Sequence, residues 1–251
     1  MTDTLAVRAA VAPMHAEARV SSPQVSQRLA GHVVAVLSTE GGWVRASGED
    51  AYEGWMHRGY LGACPTDLTS DARRLSLGTV VRDGAGPDRF LPLGAWLPEG
   101  DHVVSGSVVS ASDRAATFPR DPEAIAATAV ERFAGTPYQW GGVSPWGADC
   151  SGLVQTAFWL HGVRLPRDAW QQAEVGRDVG LDVARWQPAD LVFFTDRADR
   201  RVTHVGIALG DARMVHLALG RGGYAVERLT GALDPYVTAL MTRVVAVRRV
   251  L

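Results

Sequence analysis

The chain has 251 residues, of which 47% are hydrophobic and 21% charged, enough apolar material for the cores of two or three modest domains. Its 25 basic and 27 acidic residues leave a formal net charge of −2. The sequence therefore predicts no nucleic-acid partner and no attraction to an anionic membrane surface. All 25 basic residues are arginine, and neither lysine nor asparagine occurs. Schiff-base lysines, phosphate-loop lysines and Cys-His-Asn arrangements are therefore excluded.

Two cysteines, Cys64 and Cys150, lie far apart and outside any CxxC pair or Cys/His cluster with zinc spacing. We therefore expect neither a disulfide framework nor a metal site, and no cofactor. Residues 1–20 lack the basic start and apolar core of a secretory signal. We expect a cytoplasmic protein, with a signal removed from the natural precursor as the alternative. The sequence carries no signal for the oligomeric state.

The first predicted domain, residues 1–65, consists of short apolar runs separated by Gly, Ser and acidic turns at close spacing. This pattern is typical of a small β-barrel. Within it, GHVVAVLSTEGGWVRASGEDAYEGWMHRGYL resembles a bacterial SH3-type domain, whose late strands carry a Trp and then a GW pair. The resemblance implies a barrel fold and says little about function, since such modules bind wall peptides, line enzyme clefts or only pack.

The second predicted domain, residues 66–115, shows the same sequence pattern, with short predicted strands joined by Gly and Pro turns. We expect a second, degenerate SH3-like barrel there. A polar connector follows, and then a helix signal, with Asp121 at the N-cap, Pro122 at the first position and Gly135 at the end. The third predicted domain, residues 116–251, begins with this segment.

The third domain continues with an apolar helix that begins near Cys150 and then with strands DLVFF, THVGIAL, MVHLAL and TRVVAVRRV. A helix packed on a mostly antiparallel sheet follows, which is an α+β fold. This order of elements resembles that of papain-like cysteine peptidases, in which the nucleophile begins a helix and the base comes later from a strand.

Cys150 lies between a Gly-rich turn and the apolar helix, where the helix dipole favours a thiolate. This is a position for a nucleophile, although a buried structural cysteine fits the position about equally well. Asp149 and Ser151 favour the nucleophile, because a helix start that faces a cleft needs caps and hydrogen-bond donors. We expect an exposed thiol that contributes little packing.

His204 and His216 lie in consecutive predicted strands joined by the short turn LGDAR. On adjacent antiparallel strands the two side chains can be neighbours on one face. Either histidine alone is more often a core or surface imidazole. With Cys150 they supply the nucleophile, the base and the orienting group that acyl transfer by a thiol requires.

The run GTPYQWGGVSPWGADCSGLVQTAFWLHGVRLPR, the PADLVFF strand and THVGIALGDARMVHLA resemble the NlpC-type cysteine peptidases of bacterial cell-wall metabolism, which are papain-like. The match spans about residues 120–250 and rests on motif order and on the spacing of Cys, His and His. The resemblance implies that Cys150 is the nucleophile, His204 the general base and acid, and His216 the orienting residue.

The resemblance also implies substrate-binding residues, with Asp149 and Ser151 beside the nucleophile. A Tyr at the position of Tyr138 lines the pocket in this family, Trp140 beside it is placed to wall the cleft, and Arg167 matches an Arg that helps hold the substrate. A bidentate guanidinium suits the free α-carboxylate of a γ-linked D-Glu. Ser or Thr often follows that Arg in the family, and the chain departs from this pattern.

In the first barrel, resembling recycling peptidases place an acidic residue and a Tyr beside the GW strand in the catalytic cleft. Glu17 and Tyr52 match these positions, where they would bind the free amine of an N-terminal L-Ala. The leading hypothesis is therefore a γ-D-glutamyl-L-diamino acid endopeptidase that acts on murein peptides in recycling. A secreted hydrolase of intact peptidoglycan and a non-catalytic SH3-type peptide-binding protein are the alternatives.

Overall fold

The computed structural model describes residues 3–82, 84, 86–98 and 100–251. The chain forms two compact units, Met1–Thr117 and Phe118–Leu251, which are described separately. Among the described residues, no helix is long and apolar enough to cross a membrane.

The first unit begins with a seven-stranded antiparallel sheet in the order β3-β2-β6-β5-β4-β1-β7. Its strands are β1 (Thr4–Val7), β2 (Val11–His15), β3 (Gln24–Leu29), β4 (Val33–Glu40), β5 (Trp43–Ser47), β6 (Glu53–His57) and β7 (Leu61–Ala63). Inward-facing aliphatic and methionine side chains, including Met14, Val34, Val44 and Met56, form its core. Alternation of apolar and polar residues along these strands accounts for the buried face.

A second, four-stranded sheet completes the first unit, with β8 at its centre paired to β9, β10 and β11. The strands are β8 (Arg74–Arg82), β9 (Asp88–Leu91), β10 (Trp96–Leu97) and β11 (His102–Ser110), and the short helix α1 (Arg114–Thr117) ends the unit. The region predicted as a second barrel is thus a small antiparallel sheet. The domain limits at residues 65/66 and 115/116 stay predictions.

The second unit contains a six-stranded antiparallel sheet, a two-stranded ribbon and four helices. Its elements are α2 (Pro122–Phe133), β12 (Val143–Ser144), β13 (Gly147–Ala148), α3 (Cys150–Leu160), α4 (Ala169–Gln172), β14 (Arg177–Asp178), β15 (Leu191–Phe194), β16 (His204–Gly210), β17 (Arg213–Ala218), β18 (Gly223–Arg228), α5 (Pro235–Met241) and β19 (Val244–Arg249). The large sheet has the order β14-β19-β15-β16-β17-β18.

The two longer helices follow from local signals in the sequence. Asp121 accepts a hydrogen bond from the backbone N–H of Ala124 at 2.9 Å, and Pro122 occupies the first turn of α2. The start of α2 is therefore as predicted, and its last residue is Phe133. Helix α3 is buried on nearly all sides and packs against α2, β16 and β17.

This arrangement of α3 on an antiparallel sheet is the predicted α+β architecture, and the fold class is confirmed. It also positions the site, because the first residue of α3 lies against the beginning of β16. Strand β18 and helix α5 were not predicted from the sequence. On the sheet side that contains Val192, Phe194 and Val247, α5 contributes Val237 and Leu240 to the core.

Candidate active site

Cys150 is the first residue of α3, and the turn before it is packed tightly against the helix. Asp149 caps the helix by accepting a hydrogen bond from the N–H of Gly152 at 2.7 Å. A Cβ on Gly152 would lie 2.0 Å from the carbonyl oxygen of Gly142, so a glycine is required for this close approach. The sulfur is thereby fixed at the N-terminal end of the helix.

The Cys150 thiol is buried, which differs from the expected exposed position. Burial raises the pKa of Cys150 to about 12, and the Asp149 carboxylate adds to this effect. The backbone N–H of Val205, the Arg167 guanidinium and the N–H of Ser151 act in the opposite direction. The expected thiolate does not fit this raised pKa, because desolvation outweighs the nearby N–H groups and the Arg167 guanidinium.

His204 begins β16, and the backbone N–H of the next residue, Val205, is close enough to the Cys150 sulfur to lower its pKa. Its Nε2 lies 2.9 Å from Nδ1 of His216, as expected for neighbouring strands. Burial lowers the pKa of His204 to about 3, and the adjacent His216 adds to the shift. At neutral pH the imidazole is therefore uncharged. Its Nδ1 is the nitrogen left for proton exchange with the thiol.

Behind His204 lies a group that sequence reasoning missed. His216 is fully buried on β17, and its Nε2 is 3.5 Å from Oε1 of Glu227 on β18. Arg221 donates from Nε to Oε1 of Glu227 at 2.7 Å and from Nη2 to Oε2 at 3.1 Å. The His216 imidazole and then the Arg221 guanidinium hold the pKa of Glu227 below its usual value. The Arg-Gly-Gly turn after MVHLAL was the only sequence signal for β18.

The structure thus brings the thiol of Cys150, at the start of α3, close to the hydrogen-bonded imidazoles of His204 and His216. Burial disfavours the charged form of both groups, so the site favours a neutral thiol together with a neutral imidazole. The arrangement fits general-base-assisted attack by sulfur better than a preformed thiolate–imidazolium pair. The catalytic roles of Cys150, His204 and His216 stay predictions that this geometry fits.

Asp149, Ser151 and Arg167 form one buried network beneath the nucleophile. Arg167 donates to both Asp149 oxygens, at 3.0 and 2.8 Å, and to the Ser151 hydroxyl at 2.8 Å. Its side chain is 1% exposed, and it also donates to the Gly142 carbonyl at 3.3 Å. The implied contact between Arg167 and a substrate carboxylate therefore does not fit, since its donors bind within the protein. Substrate contacts of Asp149 and Ser151 stay predictions.

Tyr138 and Trp140 lie on the loop that precedes β12. Burial raises the pKa of Tyr138, and the nearby Cys150 and Asp149 raise it further, so the phenol stays protonated and able to donate. Tyr138 is therefore close enough to Cys150 for the two groups to interact electrostatically. Trp140 is 66% exposed, in keeping with the predicted position at a cleft wall, although its contact with substrate stays a prediction.

Glu17 and Tyr52 belong to the first unit. The Glu17 carboxylate is exposed and accepts a hydrogen bond from Nε of Arg19 at 2.8 Å. The N–H of Tyr52 donates to Oδ1 of Asp50 at 3.1 Å, which fixes the turn before β6. The contribution of Glu17 and Tyr52 to substrate specificity stays a prediction.

Comparison with known proteins gives two family matches. Residues 135–243 match the NlpC/P60 family, and residues 10–62 match the bacterial SH3 domain. The predicted resemblance to NlpC-type peptidases with an N-terminal SH3-like domain is therefore confirmed. The region predicted as a second SH3-like domain, residues 66–115, lies outside both matches.

Individual relatives agree with these matches. The chain is 39% identical over 99 residues to the gamma-D-glutamyl-L-lysine dipeptidyl-peptidase of Bacillus subtilis (strain 168), covering 39% of this chain and 32% of that protein. It is 42% identical over 85 residues to the bifunctional muramidase/DL-endopeptidase CwlT of the same strain, covering 33% of this chain and 25% of that protein. The chain thus spans about a third or less of the length of these curated relatives.

Among solved structures, an NlpC/P60 family protein from Bacillus cereus ATCC 10987 superposes with a TM-score of 0.83. It is 19% identical in sequence, and the match covers 99% of this chain and 100% of that one. At this identity the comparison shows the fold alone.

Proposed function

Because residues 135–243 match the NlpC/P60 family, we propose that the protein is a cysteine peptidase that hydrolyses peptidoglycan-derived peptides. The observation that carries the proposal is the contact of His204 Nε2 with His216 Nδ1 at 2.9 Å, next to a cysteine at a helix start. The backbone N–H of Val205, adjacent to His204 in the chain, is close enough to the Cys150 sulfur to lower the pKa of the thiol. The start of α3 and the strands β16 and β17 therefore supply a nucleophile, a base and an orienting group to one site.

In the proposed reaction, Cys150 Sγ attacks the amide carbonyl carbon while its proton moves to Nδ1 of His204. The imidazolium then gives that proton to the leaving nitrogen as the C–N bond breaks, which leaves a thioester. Water next attacks the thioester carbonyl and passes a proton to His204. The C–S bond breaks, the sulfur regains a proton from the imidazolium, and a carboxylic acid is released.

The oxyanion formed in both steps needs hydrogen-bond donors. The first N–H groups of α3 lie at the helix start with Cys150, and the Asp149 cap accepts the hydrogen bond from that of Gly152. The protonated hydroxyl of Tyr138, which interacts electrostatically with Cys150, is a further candidate donor. The backbone N–H groups are fixed by the helix before substrate arrives, so little reorganisation accompanies the development of charge on the oxyanion.

The finer proposal is that the scissile bond joins γ-D-Glu to an L-diamino acid. It is supported by the relative from Bacillus subtilis that is named for gamma-D-glutamyl-L-lysine. The Glu17 carboxylate is suited to a charge-assisted bond with the free amine of an N-terminal L-Ala. Recognition of a free amine selects released peptides over peptides attached to glycan, which is the requirement of murein recycling.

We place this recycling role in the cytoplasm. Both cysteines, Cys64 and Cys150, are free thiols, and a reducing compartment keeps them so. A cysteine nucleophile in particular depends on staying reduced.

The test is incubation with defined murein peptides, followed by mass analysis of the products. We expect a new free diamino-acid terminus from L-Ala-γ-D-Glu-diamino acid tripeptides and much less product when the L-Ala amine is acetylated. Glu17→Gln is expected to reduce this preference, whereas Glu40→Gln, also exposed in the first unit, leaves it unchanged. Absence of cleavage from every peptide would overturn the enzymatic proposal.

Hydrolysis of intact peptidoglycan is the second candidate. The similarity to the muramidase/DL-endopeptidase favours it, and the exposed Trp140 offers an apolar surface beside the site. Equal kcat/KM for free and acetylated tripeptides would support this candidate and remove Glu17 from the specificity site.

A further inference from the structure

Glu227 is a buried carboxylate that the proposed mechanism does not use. It lies on β18, where it is 6% exposed, with His216 and Arg221 around it. Among the described residues, Nε2 of His216 is buried without a hydrogen-bond partner, and the Glu227 oxygen 3.5 Å away is the acceptor that faces it. A buried ring nitrogen without a hydrogen bond, 3.5 Å from a buried carboxylate, is uncommon in folded proteins and requires an explanation.

Which ring nitrogen of each imidazole carries the proton decides whether His204 can act as a base. His204 Nε2 is bonded to His216 Nδ1, so His204 can act as a base only through Nδ1. For Nδ1 to hold a lone pair, neutral His204 must carry its proton on Nε2 and donate it to His216. His216 must then carry its own proton on Nε2, on the side of Glu227.

The opposite set of tautomers leaves the site without a base. If His216 carried its proton on Nδ1 and donated it to His204, the His204 proton would lie on Nδ1, where the thiol proton must go. Nε2 of His216 would then direct a lone pair at the carboxylate of Glu227, and both groups would be acceptors. An ionised carboxylate disfavours this arrangement.

Arg221 keeps the carboxylate ionised. Its two hydrogen bonds to Glu227 form a fork, and its guanidinium also bonds to Asp234, the N-cap of α5. The same guanidinium lies 4.3 Å from the centre of the Tyr236 ring. These contacts fix Arg221 in one position, so the fork on Glu227 is well supported.

We propose that Glu227 is a positioning residue that selects the His216 tautomer and thereby makes His204 a base at Nδ1. This inference rests on the proposed function for its catalytic consequence. Glu227 acts through His216 and receives no proton. When His204 takes the thiol proton, the negative charge of Glu227 also stabilises the imidazolium that forms.

The direct test is the protonation pattern of His216 by nitrogen-15 NMR of histidine-labelled protein, with His216→Ala used to assign the signals. The proposal predicts protonated Nε2 and unprotonated Nδ1 in the wild-type protein. A proton on Nδ1 of His216 would overturn it. This measurement needs no substrate, so its result is independent of the peptidase proposal. It also uses the wild-type protein and does not depend on whether a Glu227 variant folds.

Glu227→Gln supplies the kinetic test, because the amide oxygen can still accept from Arg221 while the amide N–H₂ favours the wrong His216 tautomer. We expect kcat on the tripeptide to fall about tenfold or more with little change in KM. In a His216→Ala background the same substitution should have almost no further effect. Glu131→Gln, an exposed carboxylate on α2, serves as the matched control and should match wild type.

A merely structural role predicts a different set of results. Glu227→Gln would then leave the His216 tautomer unchanged, and its effect would be the same with and without His216. Either result in a folded variant would overturn the assignment of Glu227 as a positioning residue.

Discussion

Arg167 holds both oxygens of Asp149 in a buried, bidentate ion pair, at the residue immediately before the candidate nucleophile. Because Asp149 also caps α3, this pair fixes the direction in which the helix starts. Arg167, which the family resemblance assigns to substrate binding, thus stabilises the Asp149 cap at the start of the helix that carries Cys150.

The first prediction concerns this pair. Arg167→Leu should lower the free energy of unfolding by about 3–5 kcal/mol, because it leaves the buried Asp149 charge without a partner. Urea denaturation measures the change, and Asp149→Asn combined with Arg167→Leu should recover part of it. Arg197→Leu, which breaks an exposed pair with Asp199, should leave stability unchanged. Equal stability of the Arg167 variant and wild type would contradict the structural role.

The second prediction concerns the thiol. Burial raises the pKa of Cys150 to about 12, so the thiolate fraction at pH 7 should be very small. In a Cys64→Ser background, iodoacetamide should label Cys150 slowly at pH 7, at a rate that rises about tenfold per pH unit through pH 8. Fast labelling with a plateau between pH 5 and 7 would instead show a preformed thiolate–imidazolium pair.

The third prediction links His204 to stability. Burial lowers the pKa of His204 from 6.5 to about 3, so below pH 6.5 the unfolded chain binds a proton that the folded chain does not. Stability should therefore fall as the pH decreases, by up to about 2 kcal/mol at pH 5 from this group alone. Comparing urea unfolding at pH 8 and pH 5 measures the loss.

The matched comparison for this prediction uses two substitutions. His204→Gln should show a smaller loss of stability between pH 8 and pH 5 than wild type, whereas His102→Gln, at an exposed position, should show the same loss. The pKa of His32 is also lowered by burial, and this residue contributes the same pH-dependent loss of stability to wild type and to both variants. An unchanged loss of stability in His204→Gln would contradict the lowered pKa of the His204 imidazole.

Much of the second unit could be predicted from the sequence because its signals are local. The Asp121 cap with Pro122 predicted α2, and alternating apolar runs predicted β16 and β17 and hence the contact of His204 with His216. These features depend on short-range periodicity and capping, which the residues themselves determine.

The remaining features depend on tertiary packing. Strand β18 has an inverted pattern, with Val226 exposed and Glu227 buried, so alternation places the carboxylate on the wrong face. The burial of Cys150 arises from packing of α3 against β16, and the partner of Arg167 depends on how the turn before α3 folds. None of these relations has a local signature in the chain.

The measurement that tests the central claim most directly is hydrolysis of L-Ala-γ-D-Glu-L-diamino acid tripeptide by wild type and Cys150→Ser, with the products identified by mass. Serine preserves the volume and burial of the side chain better than alanine, so thermal unfolding should show a folded variant. We predict release of the free diamino acid and the L-Ala-γ-D-Glu dipeptide by wild type, and no release by Cys150→Ser. Hydrolysis by the folded Cys150→Ser protein, or none by wild type, would contradict the account.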